Sequence, residues 1–319
     1  MSPWRPGGGF EPQAIATVPA TSANLGPGFD CLALALEVRD RFAVEVIPRG
    51  GPDLLIEAHG PGAGAISRGP DNLVYQAFTA VLKHLGRPVP PVRLRITNAI
   101  PIGRGLGSSA AAIVAGACLG RAAAGGGMDD VSLVALATEL EGHPDNVAAA
   151  FYGGLTLATQ GGGGALHVTR CGAIPGFRAV IAVPDFAFST HAARVLLPTQ
   201  VTLDSAVFNL GRAATLVAGL LTGDSSAVHV GMEDRLHQPY RAKALPFLND
   251  VIAAALSAGA VGAALSGAGP SVLALVEAGK EGVGATVGQA MVDALSRAGH
   301  RAEAFESAIS SRGAVVELG

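Results

Sequence analysis

Between Val92 and Ile100, apolar Val92, Leu94 and Ile96 alternate with polar Arg93, Arg95 and Thr97, the period of a half-buried strand. After Ser109 the run AAAIVAGACLGRAAA abandons that alternation and favours a helix, with Ser108 or Ser109 as its N-cap. Earlier in the chain, short strands are predicted at Ala14 to Pro19, Cys31 to Glu37, Phe42 to Ile47 and Leu54 to Ala58. Leu73, Val74, Ala77, Phe78, Val81 and Leu85 recur at helical spacing behind Asp71, a suitable cap, and Gly86 stops that helix. A further helix, opened by Asp129 or Asp130, carries Leu133, Leu136 and Leu140 on one face. It closes at Gly142, just before the polar cluster EGHPDN.

The second half reads as strand Arg178 to Val183, helices near Asp204 to Leu221 and Phe247 to Leu256, and strands Ala260 to Leu265 and Ser271 to Val276. Helix Gly284 to Ala298 and strand Arg301 to Phe305 follow. Collapsed, this is β-α-β-β-α-β with an inserted helical region, the order of a ferredoxin-like split βαβ. Residues 1–12, rich in Pro and Gly, read as a disordered lead-in, and Gly161 to Gly164 as a low-complexity loop. A boundary near Cys171 to Pro175 gives two expected domains, 13–172 and 173–319, in an α+β fold.

The strand-to-helix junction is Pro101, Ile102, Gly103, Arg104, Gly105, Leu106, Gly107, Ser108, Ser109, Ala110 and Ala111. Its glycines permit left-handed backbone that turns N–H groups inward, and the following helix N-terminus adds partial positive charge, so an anion such as phosphate fits there. A Walker A loop is excluded, because Leu106 and Gly107 rather than Lys precede Ser108. The dinucleotide fingerprint fails too, with Ser108 where a third glycine belongs. A second glycine loop, SGAGPS at Ser266 to Ser271, joins two predicted strands and taken alone reads as a hairpin connection.

Charged residues make up 15% of the 319 residues and the formal net charge is −3, so composition suggests no nucleic-acid-binding face. Cys31, Cys118 and Cys171 are far apart and odd in number, which argues for reduced core thiols rather than a secreted disulfide framework. The N-terminus lacks the basic and apolar regions of a signal peptide, and the apolar runs are interrupted by glycine, proline or charge. A cytoplasmic protein without membrane segments is expected.

A third segment, PATSANLGPGFD from Pro19 to Asp30, packs two prolines, two glycines, Asn24 and Asp30 between apolar strands, the make-up of a rigid functional loop. With PIGRGLGSSAA, EGHPDNVA and LSGAGPSV in this order, the chain resembles the galactokinase, homoserine kinase, mevalonate kinase and phosphomevalonate kinase superfamily. ANLGPGFD is the more discriminating signature of its homoserine kinase branch.

The resemblance covers nearly the whole chain beyond the lead-in. It implies a two-domain small-molecule kinase fold, with an N-terminal α/β domain carrying the phosphate loop and a C-terminal ferredoxin-like domain. It implies ATP as cosubstrate with Mg²⁺, phosphorylation of the L-homoserine hydroxyl in threonine biosynthesis, and a homodimer. Pro101 to Ala111 would wrap the ATP phosphates, with Gly267 and Gly269 of the second loop closing on the same site. Asp30 and Asn24 suit the substrate ammonium, and the planar forks of Arg194 and Arg241 suit its carboxylate. Ser108 and Glu141 are the candidate magnesium ligands, with Glu139 as the substitute for the latter. Asp145 or Asn146 occupies the slot of the superfamily's catalytic base. If Asn146 does, the hydroxyl proton could pass to phosphate. His143 would contact the substrate and Thr190 would orient its hydroxyl.

Two other enzyme classes and one non-enzyme compete. A relative acting on mevalonate or shikimate would leave Asp30 facing a substrate without an ammonium. A non-catalytic ligand sensor would not need Ser108, Glu141, Asp145 and both glycine loops. A nicotinamide oxidoreductase is weakened by the failed fingerprint.

Overall fold

The computed structural model describes residues 10–161, 165–174 and 176–319. Residues 1–9 of the expected lead-in, 162–164 of the glycine tract and Pro175 lie outside the described residues. Phe10 corrects the remainder of the lead-in: it is buried against Ile15 and Ala43, with the Arg95 guanidinium 4.2 Å from its ring centroid.

The first sheet is built on β1 (Ala14–Asn24) and β2 (Gly28–Val46), which pair antiparallel. The two strands predicted around residues 31–47 are therefore one. The polar residues between them, Arg39 to Arg41, stay extended because their backbones pair with β1 and because Asp40 accepts the Ala99 and Ile100 N–H groups at 2.6 and 2.8 Å. Around these lie β3 (Leu54–His59), β4 (Val92–Thr97), β5 (Leu155–Gln160) and β6 (Leu166–Gly172), with β3 parallel to β4. Helices α1 (Leu73–His84), α2 (Ser108–Ala123), α3 (Asp130–Glu141) and α4 (Asp145–Tyr152) belong to this unit, and α2 and α4 pack on β1 and β2. The cap of α1 is Asn72, whose side chain accepts from Val74 and Tyr75, while Asp71 is taken by the Ser67 hydroxyl. Asp129 caps α3, as one of the two expected positions.

The second sheet has the order β10 (Ala302–Ser307), β7 (Phe177–Pro184), β9 (Val272–Glu277) and β8 (Gly262–Leu265), all neighbours antiparallel. With α9 (Leu248–Ser257) and α10 (Val283–Arg297) this is the ferredoxin-like arrangement that the element order suggested. Alternation along β7 divides its two faces. Val180 and Ala182 join the cluster under α9 and α10, and Ala179 and Ile181 join the core that continues into the first unit. The insertion holds α5 (Thr190–Val195), α6 (Leu203–Thr222), α7 (Ser225–Gly231) and α8 (Gln238–Arg241).

One expectation fails at the C-terminus. β11 (Val315–Leu318) pairs with β1, so the end of the expected 173–319 domain returns to the first sheet. Arg39 draws it there by donating to the Gly313 and Arg312 carbonyls and the Ser310 hydroxyl. Among the described residues one helix, α6, is long and apolar enough to cross a membrane by length and composition. It carries Asp204 and Arg212 and buries Leu216 and Leu220 in the protein core.

Candidate active site

The PATSANLGPGFD segment leaves β1 through residues that sit in left-handed backbone: Asn24 at φ 71°, Leu25 at 51° and Asp30 at 54°. Asn and Asp tolerate this region better than a branched side chain does, and such outliers persist where the surroundings hold them. Here Asn24 Nδ2 donates to the Gly267 carbonyl at 2.9 Å, and its Oδ1 accepts the Asp30 N–H at 3.1 Å. One side chain thus ties the first loop to the second glycine loop and fixes Asp30.

The two glycine loops meet directly. Gly105 has φ 75°, and a Cβ there would run into the Ser266 carbonyl and Gly269. Ser266 Oγ donates to the Gly105 carbonyl at 2.7 Å, and the Thr21 N–H donates to the Leu106 carbonyl at 3.1 Å. The expected serine N-cap of α2 is not used. Gly107, left-handed at φ 68°, is the cap, and Ser108 and Ser109 form the first turn. Their hydroxyls are therefore released from capping.

These elements enclose a cavity of about 420 Å³, within the range of small-ligand sites. Asn24, Asp30, Ile102 to Ser109, Glu141, His143, Asp145, Asn146, Thr190, Arg194, Arg241 and Gly267 all line it. Four expected loop residues do not. Ala110 and Ala111 are fully buried in the core, Pro101 precedes the lining segment, and Gly269 packs on Leu265 and Leu245. Glu139 is exposed and outside the lining, so Glu141 is the glutamate that faces the cavity.

At one end of the cavity, α4 begins where EGHPDN was read as a polar cluster. Pro144 is its N-cap and Asp145 stands in its first turn, where the helix dipole favours a carboxylate. Asp145 Oδ1 lies 2.7 Å from His143 Nδ1 and accepts the Asn146 N–H at 2.7 Å. Asn146 is held in turn by Thr21 Oγ1, 2.7 Å from its Oδ1. Burial pulls the His143 pKa down, but the Asp145 hydrogen bond and the charges of Asp145 and Glu141 outweigh it, leaving the imidazole above its ordinary value. Glu141 is raised chiefly by burial, against the lowering effect of the hydrogen bond from Ser109 Oγ at 2.6 Å. The serine that touches Glu141 is thus Ser109, while Ser108 lines the cavity beside it.

At the other end the expected partners are engaged with each other. Arg194 makes a fork on Asp30, Nη1 to Oδ2 at 2.9 Å and Nη2 to Oδ1 at 2.7 Å, and this pair is what holds the Arg194 pKa up. Arg241 is 2% exposed. Its Nη1 donates to Gly267 at 2.9 Å and meets His237 Nδ1 at 3.1 Å, while its buried Nε makes no hydrogen bond among the described residues. Burial, with Arg194 nearby, pulls its pKa down to about 10, so it stays cationic at neutral pH. Both guanidiniums lie near the Phe29 ring, Arg194 at 5.5 Å and Arg241 at 5.3 Å from its centroid.

The sequence reading gave no individual role to Thr21, Ser266 or His237, each of which has a side-chain partner far away in the chain. It also passed over the cavity wall formed by Ile66, Asn72, Leu73, Ile96 and Asn98. Thr21 and Ser266 lie within PATSANLGPGFD and SGAGPS, which offered a signal for them; nothing local pointed to His237.

Two glycine loops that meet over one cavity of about 420 Å³, beside a buried Asp–His pair, make a site for a small ligand. The GHMP kinases N terminal domain family model matches residues 72–154 and the GHMP kinases C terminal model residues 216–294. The chain belongs to the GHMP kinase family and is a kinase that uses ATP. Within that family its similarity is to homoserine kinases. The one from Moorella thermoacetica is 45% identical over 95% of this chain and 99% of its own length. The crystal structure of homoserine kinase from Cytophaga hutchinsonii superposes with a TM-score of 0.83 at 31% identity, covering 98% of this chain and 100% of that one. The crystal structure of L. major mevalonate kinase in complex with R-mevalonate shares the fold, with a TM-score of 0.64 at 17% identity over 94% of this chain and 96% of that one.

Proposed function

We propose that the protein transfers the γ-phosphoryl group of ATP to the side-chain hydroxyl of L-homoserine, giving O-phospho-L-homoserine and ADP. The observation that carries this reading is the charge arrangement at the substrate end, where Asp30, Arg194 and Arg241 face one cavity and the Arg241 Nε has no hydrogen-bond partner among the described residues. A zwitterion answers both signs. Its carboxylate takes the guanidiniums and its ammonium takes Asp30, so the internal Arg194–Asp30 fork is exchanged for two ligand-made ion pairs. An alcohol bearing only a carboxylate would draw Arg194 away and leave Asp30 with no cation.

The left-handed glycines Gly103, Gly105 and Gly107 and the N-terminus of α2 suit the ATP phosphates, and the apolar side chains of Ile66, Leu73 and Ile96 suit the base. Ser108 and Glu141 would hold Mg²⁺. The fit rests on Glu141, a buried carboxylate whose hydrogen bond comes from a neutral hydroxyl, with His143 Nε2 3.8 Å away. When bound, the ion neutralises charge on the phosphates. Thr190 orients the acceptor hydroxyl, Asn146 and His143 fix the Asp145 carboxylate, and Asp145 accepts the proton as the phosphoryl group moves. In this reading 13–172, with the returning C-terminus, is the nucleotide half and the ferredoxin-like unit closes it. The enzyme works in the cytoplasm on small molecules, without a membrane or nucleic acid.

Replacing Asp30 with Asn tests the assignment. The KM for L-homoserine should rise about 100-fold while the KM for ATP changes little. An unchanged homoserine KM would remove Asp30 from the substrate pocket and with it the zwitterion argument.

A further inference from the structure

His237 is fully buried and stands where the turn that carries Asn24 and Asp30 meets the segment that carries Arg241. Its Nε2 lies 2.7 Å from the Gly26 carbonyl and its Nδ1 lies 3.1 Å from Arg241 Nη1. A carbonyl can only accept and a guanidinium can only donate. The ring is therefore the neutral tautomer with its proton on Nε2, donating to Gly26 and accepting from Arg241. An imidazolium would offer Arg241 a second donor and a second positive charge. Burial, with Arg241 adjacent, accordingly pulls the His237 pKa down to about 4, although Asp234 Oδ2 at 3.6 Å opposes this.

The neighbours hold His237 as firmly as it holds them. Asp234 accepts the N–H groups of Leu236, His237 and Gln238, and it receives Asn209 Nδ2 at 2.7 Å. Asn209 also reaches the Pro27 carbonyl at 3.3 Å, and Phe29 lies against the imidazole at 5.4 Å between centroids. The segment from Asp234 to Arg241 thus grips the left-handed turn from Asn24 to Asp30 at Gly26 and Phe29, and at Pro27 through Asn209, while Arg241 reaches past it to Gly267.

We propose that His237 is a positioning residue for substrate recognition: by bridging Gly26 and Arg241 it sets the distance between the carboxylate-binding guanidinium and the loop that carries Asn24 and Asp30. This inference rests on the reading of Arg241 as a carboxylate partner. Its consequence is selectivity for the charge spacing of an α-amino acid. A drifting guanidinium still attracts a carboxylate, but no longer at the separation that lets the ammonium reach Asp30.

Two substitutions divide the bridge. In His237→Asn the side-chain oxygen can take the place of Nδ1 and accept from Arg241. In His237→Gln the amide nitrogen can take the place of Nε2 and donate to Gly26, leaving Arg241 unanchored. His237→Gln should raise the KM for L-homoserine about tenfold or more, with kcat and the KM for ATP within about threefold, and His237→Asn should do so less. Arg241→Gln is the control. If it raises the homoserine KM while both histidine variants lower only the melting temperature, the positioning role is overturned and the reading of Arg241 stands. If Arg241→Gln leaves that KM unchanged, the reading falls and the inference falls with it. Nitrogen-15 NMR of the unaltered enzyme provides a test independent of variant folding. A single Nε2–H tautomer should persist from about pH 5.5 to about pH 8.5. The opposite tautomer, or a ring that titrates in that range, would overturn the proposal.

Discussion

Asp145 and Glu141 sit on either side of His143, and substitutions at the two separate chemistry from stability. Asp145→Asn keeps the volume and removes the proton acceptor, so kcat should fall by about 100-fold or more with the KM for ATP little changed. A loss under about tenfold would mean that the proton passes to the phosphate instead. Glu141 has a folded-state pKa above its unfolded value, because burial disfavours its charge. Its linkage contribution is therefore fully present below the unfolded pKa and is lost as pH rises through the folded one. Glu141→Gln removes the buried charge. It should raise the melting temperature by about 2 °C at neutral pH, with the gain vanishing in acid, while activity with MgATP collapses. Calorimetry across pH alongside initial rates checks both halves. The same residues explain what could be read in advance. Asn24, Asp30, Glu141, His143 and Asp145 were singled out by the motifs that carry the family resemblance, PATSANLGPGFD and EGHPDNVA, and all five line one cavity. That Arg194 and Asp30 pair in the absence of substrate was not, since a charge pair across the fold leaves no local mark.

At the scale of elements, the strand, glycine loop and helix from Val92 to Ala123 were readable because three changes of pattern coincide in one short stretch. The cap was misassigned to a serine because left-handed Gly107 turns the chain with no side chain at all. α4 was missed because Pro144 reads as a stop, yet it is suited to opening a helix. Gly105→Ala probes the loop contact directly. Its Cβ would strike the Ser266 carbonyl and Gly269 from a left-handed backbone, so the loops must part. Destabilisation of about 1–3 kcal/mol and a raised KM for ATP are expected from denaturant unfolding and steady-state kinetics. Asn72→Ala, which removes the cap of α1, should cost about 1 kcal/mol.

The whole molecule depends on a chain end that pattern reading placed in the wrong unit. β11 completes the edge of the first sheet, Ser310 exchanges backbone hydrogen bonds with Ala35 and Gly154, and Arg39 holds the strap by three bonds. Four residues of strand carry too short a pattern to reveal a partner some three hundred positions earlier. Deleting residues 308–319 should uncover the β1 edge, lower the melting temperature by about 5 °C or more and promote association. A truncated protein as stable as the full chain would show that the strap is dispensable. The ferredoxin-like unit, by contrast, was legible from element order, because its short apolar strands and amphipathic helices follow one another as β-α-β-β-α-β.

The account stands most directly on the acceptor. Phosphorus NMR of the purified protein with MgATP should show ADP forming in step with a new phosphomonoester when L-homoserine is present, and neither product with mevalonate, shikimate, L-serine or no acceptor. Phosphorylation of a carboxylate-only alcohol in preference to L-homoserine would contradict the pairing of Asp30 with an ammonium, and with it the reading of this site.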